Sequence, residues 1–377
     1  MIDIARSLAA ARGREDAQVS LRVRGQRFVG WLQSDIERSM ETIAGTFSVP
    51  ITWDWRGAKP VDRQDEVQVL IGDTPIITGY VLAAEPFYNA TDVGLRIVGR
   101  DRAGDVVKCS ALHKGGQWRK AKLDTIVRDL LKPFGVEVLI QGDTGAPIAD
   151  FKLALGEPAL DAISRACRLR GRVAINNGLG AVVITQAGST LSKGTITGGW
   201  LYATGGNVIS LQGQGTDENR HSEYICFGQA HAKSQADFDT ARQLKARATD
   251  PEIKRYTPLV INADGSTTPA DLQTLVDHTA HVRRGQAYAY EYEVEGWTTG
   301  STNTPWLINQ RVPVWDDIAG YHGTELLITA TKFSCDLKKG KVTKLTVKPV
   351  EAYAAVPLKS KQKKGWAGAK QSNKQGK

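Results

Sequence analysis

The chain is poor in the residues that most often carry chemistry. Its 377 residues include only 4 cysteines, 2 methionines and 6 histidines. Cys109, Cys167, Cys226 and Cys335 stand far apart with no CxxC pair, so neither a zinc knuckle nor a disulfide frame is encoded. Reduced, buried thiols are the expectation, and with them folding in a cytoplasm. No run approaches the roughly 18 apolar residues that a membrane helix needs. The opening Met1-Ile2-Asp3-Ile4-Ala5-Arg6-Ser7-Leu8 lacks the cationic start and apolar core of a secretory signal. GxxxxGK[ST], HExxH and GxSxG are all missing, which removes the common nucleotide, zinc-protease and serine-hydrolase signatures.

What is present is ordinary for a globular protein: 41% hydrophobic and 24% charged residues, far from the composition of a disordered chain. Glycine is plentiful, at 38 residues, which suits a chain with many tight turns. The length exceeds what one core usually supports, so at least two modules are expected. The net charge of +9 is local. Seven lysines and no acid lie between Pro357 and Lys377, and removing those charges leaves +2 on the first 356 residues. The body is therefore nearly neutral, without the clustered cations of a nucleic-acid groove.

Hydrophobic period divides the chain. Val19, Leu21 and Val23 alternate with polar residues, as do Phe47, Val49, Ile51 and Trp53, then Val67, Val69 and Ile71 before the turn Gly72-Asp73. Ile77–Leu82 and Leu95–Val98 continue the pattern, which predicts an all-β module over 19–104 behind an N-terminal extension, 1–18. From Leu123 the period changes to a helical stripe (Ile126, Val127, Leu130, Leu131) stopped by Pro133-Phe134-Gly135. Glu157-Pro158 opens a second helix with Leu160, Ile163 and Cys167 on one side and Gly171 as its cap. A hairpin turning at Asn176-Asn177-Gly178 completes a small α/β module over 105–190. Alternation returns in 191–229 and 285–356, a second β module. Between them lies an insertion, 230–284, whose helix starts at Thr268-Pro269 with Leu272, Leu275, Val276 and Thr279 inward. The fold class is mainly β with α+β parts, two antiparallel barrel-like modules flanking the α/β one. The lysine-rich tail, 357–377, ends the chain.

Candidate chemistry does not converge. His278 and His281 sit i, i+3 on the helix but away from its apolar stripe and without a third ligand, so a solvated face outweighs a metal site. Arg220-His221-Ser222-Glu223 offers acid–base types, yet neighbours on a strand point to opposite faces. Asn177-Gly178-Leu179-Gly180 follows a helix and precedes a strand, the reverse of a dinucleotide fingerprint, and reads as a turn. Asp316-Asp317 and Asp237/Asp239 are carboxylate pairs that nothing sets across a cleft. Most of the 9 tryptophans are expected in cores. Trp366 is the exception: with Lys359, Lys361, Lys363 and Lys364 it reads either as a docking peptide for a partner or as a solubilising tail. Tyr288, Tyr290 and Tyr292 form a one-sided row, facing the core or a neighbouring subunit, with the core favoured. No catalytic residue, metal or cofactor is expected. Function then lies in surfaces.

Several stretches, in order, resemble the baseplate hub proteins of Mu-like contractile phage tails, a group related in fold to late-control tail proteins and to the N-terminal part of type VI secretion spikes. They are Arg27-Phe28 through Trp31, Ile36–Glu41, Ala44–Ser48, Asp65–Val69, Thr78–Val81 and Gly99-Arg100-Asp101, then Ala159–Ile163 closing at Arg170-Gly171, and Gly323–Thr329 continuing to Phe333. The match is looser at Asp105–Ser110, where many relatives carry an aspartate-rich strand. The resemblance implies a homotrimeric ring in which three chains, each with two β modules, offer six similar units to the tail tube and a threefold face to the central spike. Baseplate-wedge and tape-measure proteins are further implied partners, and DNA is implied only as passing cargo. The alternatives are a tail-associated cell-wall hydrolase and a nucleic-acid binder acting through the tail.

Overall fold

A computed structural model describes residues 18–29, 34–90, 93–199, 205–229, 244–266, 269–300, 304–336 and 340–353. Most of the 1–18 extension, the lysine tail with Trp366, and the Asp237/Asp239 pair lie outside these residues.

The first lobe is β throughout: β1 (Val19–Val23), β2 (Gln26–Phe28), β3 (Ser34–Ser39), β4 (Thr46–Thr52), β5 (Glu66–Ile71), β6 (Thr74–Tyr88) and β7 (Val93–Asp101). The period of two works as it should. Phe47, Val49 and Ile51 of β4 are buried while the residues between them are not. Gly72, at φ 59°, makes the tight reversal from Ile71 to Thr74. β6 is long because it serves two partners, β5 from Thr74 to Tyr80 and β7 from Gly79 to Tyr88, and it shifts register against β7 between Val81 and Ala83. At Gly79 it passes so close to β7 that a Cβ would lie 1.9 Å from the Arg100 carbonyl.

A helical unit follows: α1 (Gly104–Lys108), β8 (Gln117–Ala121), α2 (Leu123–Leu131), β9 (Val138–Ile140), β10 (Ile148–Lys152), α3 (Ala159–Arg168), β11 (Val173–Asn176) and β12 (Val182–Thr185). The stripes of α2 and α3 bury Leu123, Ile126, Leu130 and Leu131 against Ala162, Ile163 and Cys167 in a core of their own. Gly135 turns out of α2 at φ 64°.

The last third holds β13 (Thr190–Leu191), β14 (Ile196–Thr197), β15 (Val208–Gly215), β16 (Glu223–Gln229), β17 (Leu244–Thr249), β18 (Pro258–Ser266), α4 (Pro269–Ala287), β19 (Tyr288–Glu295), β20 (Gln310–Asp316), β21 (Tyr321–Asp336) and β22 (Gly340–Lys348). The alternating run Tyr224–Phe227, grouped by sequence with the second β module, is β16, which pairs with β17 and β18 instead. α4 packs its Leu272 and Val276 on Tyr224, Cys226 and Ala246 of that sheet. Alanines inside β17 (Ala246, Ala248) carry too little hydrophobic contrast to announce a strand.

Two barrel-like modules are not what the pairing shows. A single 14-stranded sheet runs β15-β19-β22-β21-β3-β4-β7-β6-β5-β1-β2, with β13, β14 and β20 attached at its side, and no closed barrel occurs among the described residues. The 16-residue β21 is the reason. Arg311–Asp316 of β20 pairs with its first half, and Ala330–Cys335 of its second half pairs with β3 of the first lobe. Both lobes therefore share one sheet and one hydrophobic core, from Leu21 and Ile97 to Trp306 and Leu345.

The contact at Gly79 gives a direct expectation. Gly79→Val should cost about 3 kcal/mol or more, because backbone and not a flexible side chain fills the space. Gly115→Ala, where no atom lies within 4 Å, should cost less through contacts and only the strain of its φ of 84°. Urea midpoints of the two variants test this.

Candidate functional site

Polar side chains are largely spent on joints between units. Arg38 of β3, only 3% exposed, donates from Nε and Nη2 to Asn176 Oδ1 (3.1 and 2.6 Å) and from Nη2 to the Asn176 carbonyl (2.8 Å). Asn176 in turn donates to the Ile43 carbonyl. First lobe and helical unit are thus locked through one side chain. The turn Asn177–Gly180 joins the same contact: Thr78 Oγ1 donates to the Gly178 carbonyl at 2.8 Å. Gly178, at φ 80°, presses against the Pro75 carbonyl, where a Cβ would approach to 2.6 Å. The G-x-G is a docking knuckle in a hairpin.

Asp101 lies near Arg38 and uses Oδ1 to accept from the Ala103 N–H, at 2.9 Å, fixing the entry to α1. Burial pushes its carboxyl up to about 6, against the pull of that hydrogen bond and of Arg38. Burial likewise lowers the Arg38 guanidinium to about 10.

Arg220 and Asp250, with side chains 2% and 1% exposed, form an ion pair of 2.8 Å. Arg284 of α4 reaches Asp250 at 2.9 Å, and Asp217 and Glu252 reach Arg220. Burial opposes the Asp250 charge, but hydrogen bonds from Arg284 and Arg220 outweigh it and hold the carboxyl below its usual range. This cluster clamps the β16–β18 sheet to α4 and, through the Tyr288 hydroxyl on Arg220 (3.3 Å), to β19.

The acid–base types in Arg220–Glu223 diverge, but not by strand alternation: β16 begins only at Glu223, and Arg220 to Ser222 form the turn that leads into it. Arg220 joins the clamp, the His221 ring stands edge-on to Tyr224, and Glu223 pairs with Arg247. Asp316 caps its own turn by accepting from the N–H groups of Ile318 and Ala319. Among the described residues no group of three or more His, Cys, Asp or Glu is placed to hold a metal ion.

The tyrosine row splits by depth. Tyr292 is fully buried, so within the folded subunit it has no surface to offer a neighbour. Tyr290 packs half-buried on the core, edge-on to Tyr321 at 5.4 Å, and Tyr288 serves the clamp. Trp118, Trp297 and Trp306 are buried. A grouping not evident from sequence appears at the end of β6: Trp53, Trp55, Pro86, Phe87, Tyr88 and Val93 line a groove of about 430 Å³, with Trp55 60% and Tyr88 86% exposed. The signal was Trp-Asp-Trp and Pro-Phe-Tyr at the ends of β4 and β6, two strands that flank β7 in the sheet.

Internal polar joints, an open sheet and exposed aromatic surface describe an assembly subunit. Comparison with known proteins gives its kind. Residues 18–101 match the family described as "Mu phage baseplate assembly protein GpP-like, N-terminal", and residues 103–186 match "Baseplate hub protein gp44-like, second domain". The baseplate hub protein gp44 of Escherichia phage Mu is 30% identical over 356 residues, 92% of this chain and 91% of that one. The 43 kDa tail protein of prophage MuSo2 from Shewanella oneidensis superposes with a TM-score of 0.76 at 28% identity, over 90% of this chain and 99% of that one. A tail protein from Neisseria meningitidis MC58 has the same fold, with a TM-score of 0.77 at 20% identity and the same coverage. The chain belongs to the Mu-type baseplate hub family and is a structural component of the phage tail baseplate. Among the described residues no helix is long and apolar enough to cross a membrane.

Two stability tests follow. Because Asp101 binds its proton more tightly when folded, its contribution falls as pH rises from about 4 to about 6. Asp101→Asn, which keeps an acceptor for Ala103, should remove about 2 kcal/mol of the difference between urea unfolding at pH 4.5 and pH 7. Asp250 has the opposite sign: its stabilisation holds at neutral pH and fades only as pH drops below the usual carboxylate value. Asp250→Ala should cost about 1–3 kcal/mol at pH 7 by removing the buried carboxylate that Arg220 and Arg284 share, while Asp217 and Glu252 still pair with Arg220, measured by the same unfolding.

Proposed function

We propose that this hub protein acts as a homotrimeric ring that couples the sixfold tail tube to the threefold central spike, through geometry and without a reacting side chain. The observation that carries the reading is the single sheet running through both lobes, together with 30% identity to a baseplate hub over 92% of the chain. Each subunit presents two β-rich lobes in a fixed relation, so three subunits present six lobes. Six units suit a sixfold neighbour on one side, and their grouping in pairs suits a threefold one on the other. A head-to-tail contact between copies closes into such a ring only when its rotation does.

The exposed aromatic groove at Trp55 and Tyr88 is a natural part of an obligate contact, which for a hub should bury about 2,000 Å² or more. Spike, tube, wedge and tape-measure proteins are the partners in this reading, with assembly in the host cytoplasm before release in the virion. The lysines from Lys359 to Lys364 and Trp366 form a docking peptide for one of them.

Light scattering on the full chain at micromolar concentration tests the ring. A mass three times 41.0 kDa is expected. A monomer, alone and in the presence of the spike protein, overturns it. A lytic band in a peptidoglycan gel would instead support a cell-wall hydrolase. DNA binding that survives deletion of 357–377 would support a nucleic-acid binder.

A further inference from the structure

We propose that the ring closes strand to strand: the outer edge of β15 in one copy pairs with the outer half of β6, Leu82–Tyr88, in the next, so that three copies share one closed sheet. The inference rests on the trimeric reading above and names the joint that makes it.

The large sheet has two free edges of similar length. β15 has β19 on one side and no strand on the other among the described residues. It reads VISLQGQG, with neither charge nor proline to blunt it. At the other end, β6 pairs with β5 as far as Tyr80, and Gln64 and Asp65 bond Val81. The register then slips by one residue against β7, and from Leu82 onward β6 has no strand on its outer side among the described residues.

Both edges present the same kind of position. The Thr216 N–H donates to the Ala287 carbonyl at 3.1 Å, in register with the β15–β19 ladder. Alternation then directs Gln214, Gln212 and Ser210 to β19, and Leu211, Gly213 and Gly215 outward. On β6 the Val81 N–H points away from β7, donating to the Asp65 carbonyl at 3.0 Å. The one-residue slip turns Ala83 and Glu85 to β7, and Ala84, Pro86 and Tyr88 outward. Pro86, which has no N–H, suits such a place. On each edge the outward residues are also those of the core face: Leu211 stands opposite buried Tyr292, and Ala84 opposite buried Ile97. Residues that face each other across an antiparallel ladder share a face. Joining these edges therefore keeps both cores on one side of the sheet.

Strand direction agrees. From β15 through β19, β22, β21, β3, β4 and β7 to β6 there are eight strands, and every neighbouring pair is antiparallel. With an even count, β15 and β6 run in opposite directions. Rotation about the ring axis leaves strand direction unchanged, so β15 of the next copy meets β6 antiparallel. Three copies of eight strands give a closed sheet of 24, at least about 37 Å across at roughly 4.8 Å per strand.

The side chains fit as well. Tyr88 is 86% exposed and Leu211 only partly buried, and alternation puts both on the face the joint would cover. Gly213 and Gly215 have no side chain there, which leaves room for Pro86 and the Tyr88 ring. A contact between two β15 edges is two-fold, stops at two copies and leaves β6 bare.

Proline at an outward N–H blocks an added strand and leaves the chain's own ladder intact. Gly213→Pro and Ala84→Pro should each melt within a few degrees of the parent, while light scattering at micromolar concentration finds the trimer reduced at least tenfold. Gly213→Ala should remain trimeric. An equimolar mixture of the two proline variants retains one good edge from each. At tenfold higher concentration it should form pairs of twice 41.0 kDa, and a mixture that stays monomeric overturns the proposal. A folded proline variant that still trimerises also overturns it, and leaves the edge to another polypeptide. So does Ala84→Pro pairing with itself, which would assign β15 to a two-fold contact. If the proline variants do not fold, hydrogen exchange on the parental trimer decides. The Leu211, Gly213, Gly215, Ala84 and Tyr88 amides should exchange at least a hundredfold more slowly than in a free peptide, and free-peptide rates overturn the joint. A parental chain that stays monomeric sinks the trimeric reading itself, and the joint with it.

Discussion

The pairing of β21 with β3 is the constraint on which the remaining architecture depends. Six consecutive register partners, from Ala330↔Ser39 to Cys335↔Ser34, join strands almost 300 residues apart in the chain. Everything else follows from this seam: the shared core, the open sheet with two ends, and the fixed relation between lobes. Backbone hydrogen bonds enforce it with little dependence on side-chain identity, which fits a fold kept at 20% identity in a superposable tail protein. The seam is reinforced locally by Lys348, whose ammonium reaches Glu41 at 2.8 Å, and by the Tyr353 hydroxyl on the same carboxylate at 3.1 Å.

The helical unit plays a different part. It has a core of its own and touches the first lobe through Arg38, Asn176 and the Gly178 knuckle. A buried guanidinium satisfied by an amide and a carbonyl, not by a carboxylate, gives direction without the full cost of a buried ion pair. The Arg220–Asp250 clamp spends more charge to hold a smaller unit, whose three-stranded sheet and single helix have a modest core.

Local elements were legible in the sequence wherever hydrophobic contrast was strong. The β4 row of Phe47, Val49 and Ile51 and the α2 stripe could be read directly, as could the hairpin at Asn177-Gly178. β17 and β18 escaped because alanine and polar residues blur the period. The joining of lobes escaped for a deeper reason: a strand's pattern shows which face is buried, not which strand lies beside it. Hence β21 read as one alternating run, with no mark that its second half pairs with β3 of the first lobe as well as with β22. The ordered motifs did point to the hub family, because they sample positions from both ends of this seam. The Arg220 cluster was missed since two of its acids, Asp250 and Glu252, are brought to it by the β16–β17 pairing, and only Asp217 is close in sequence. Tyr292 reads from sequence as core in preference to interface, and the sheet places it inside.

The long β21 also has a mechanical meaning. Load applied along its axis is shared by all the ladder bonds at once, whereas load that pries one strand away meets them singly. A beam running through both lobes therefore resists sliding far better than peeling. A subunit built this way carries load from one lobe to the other as a stiff strut, and gives way first where a strand can be lifted from its end.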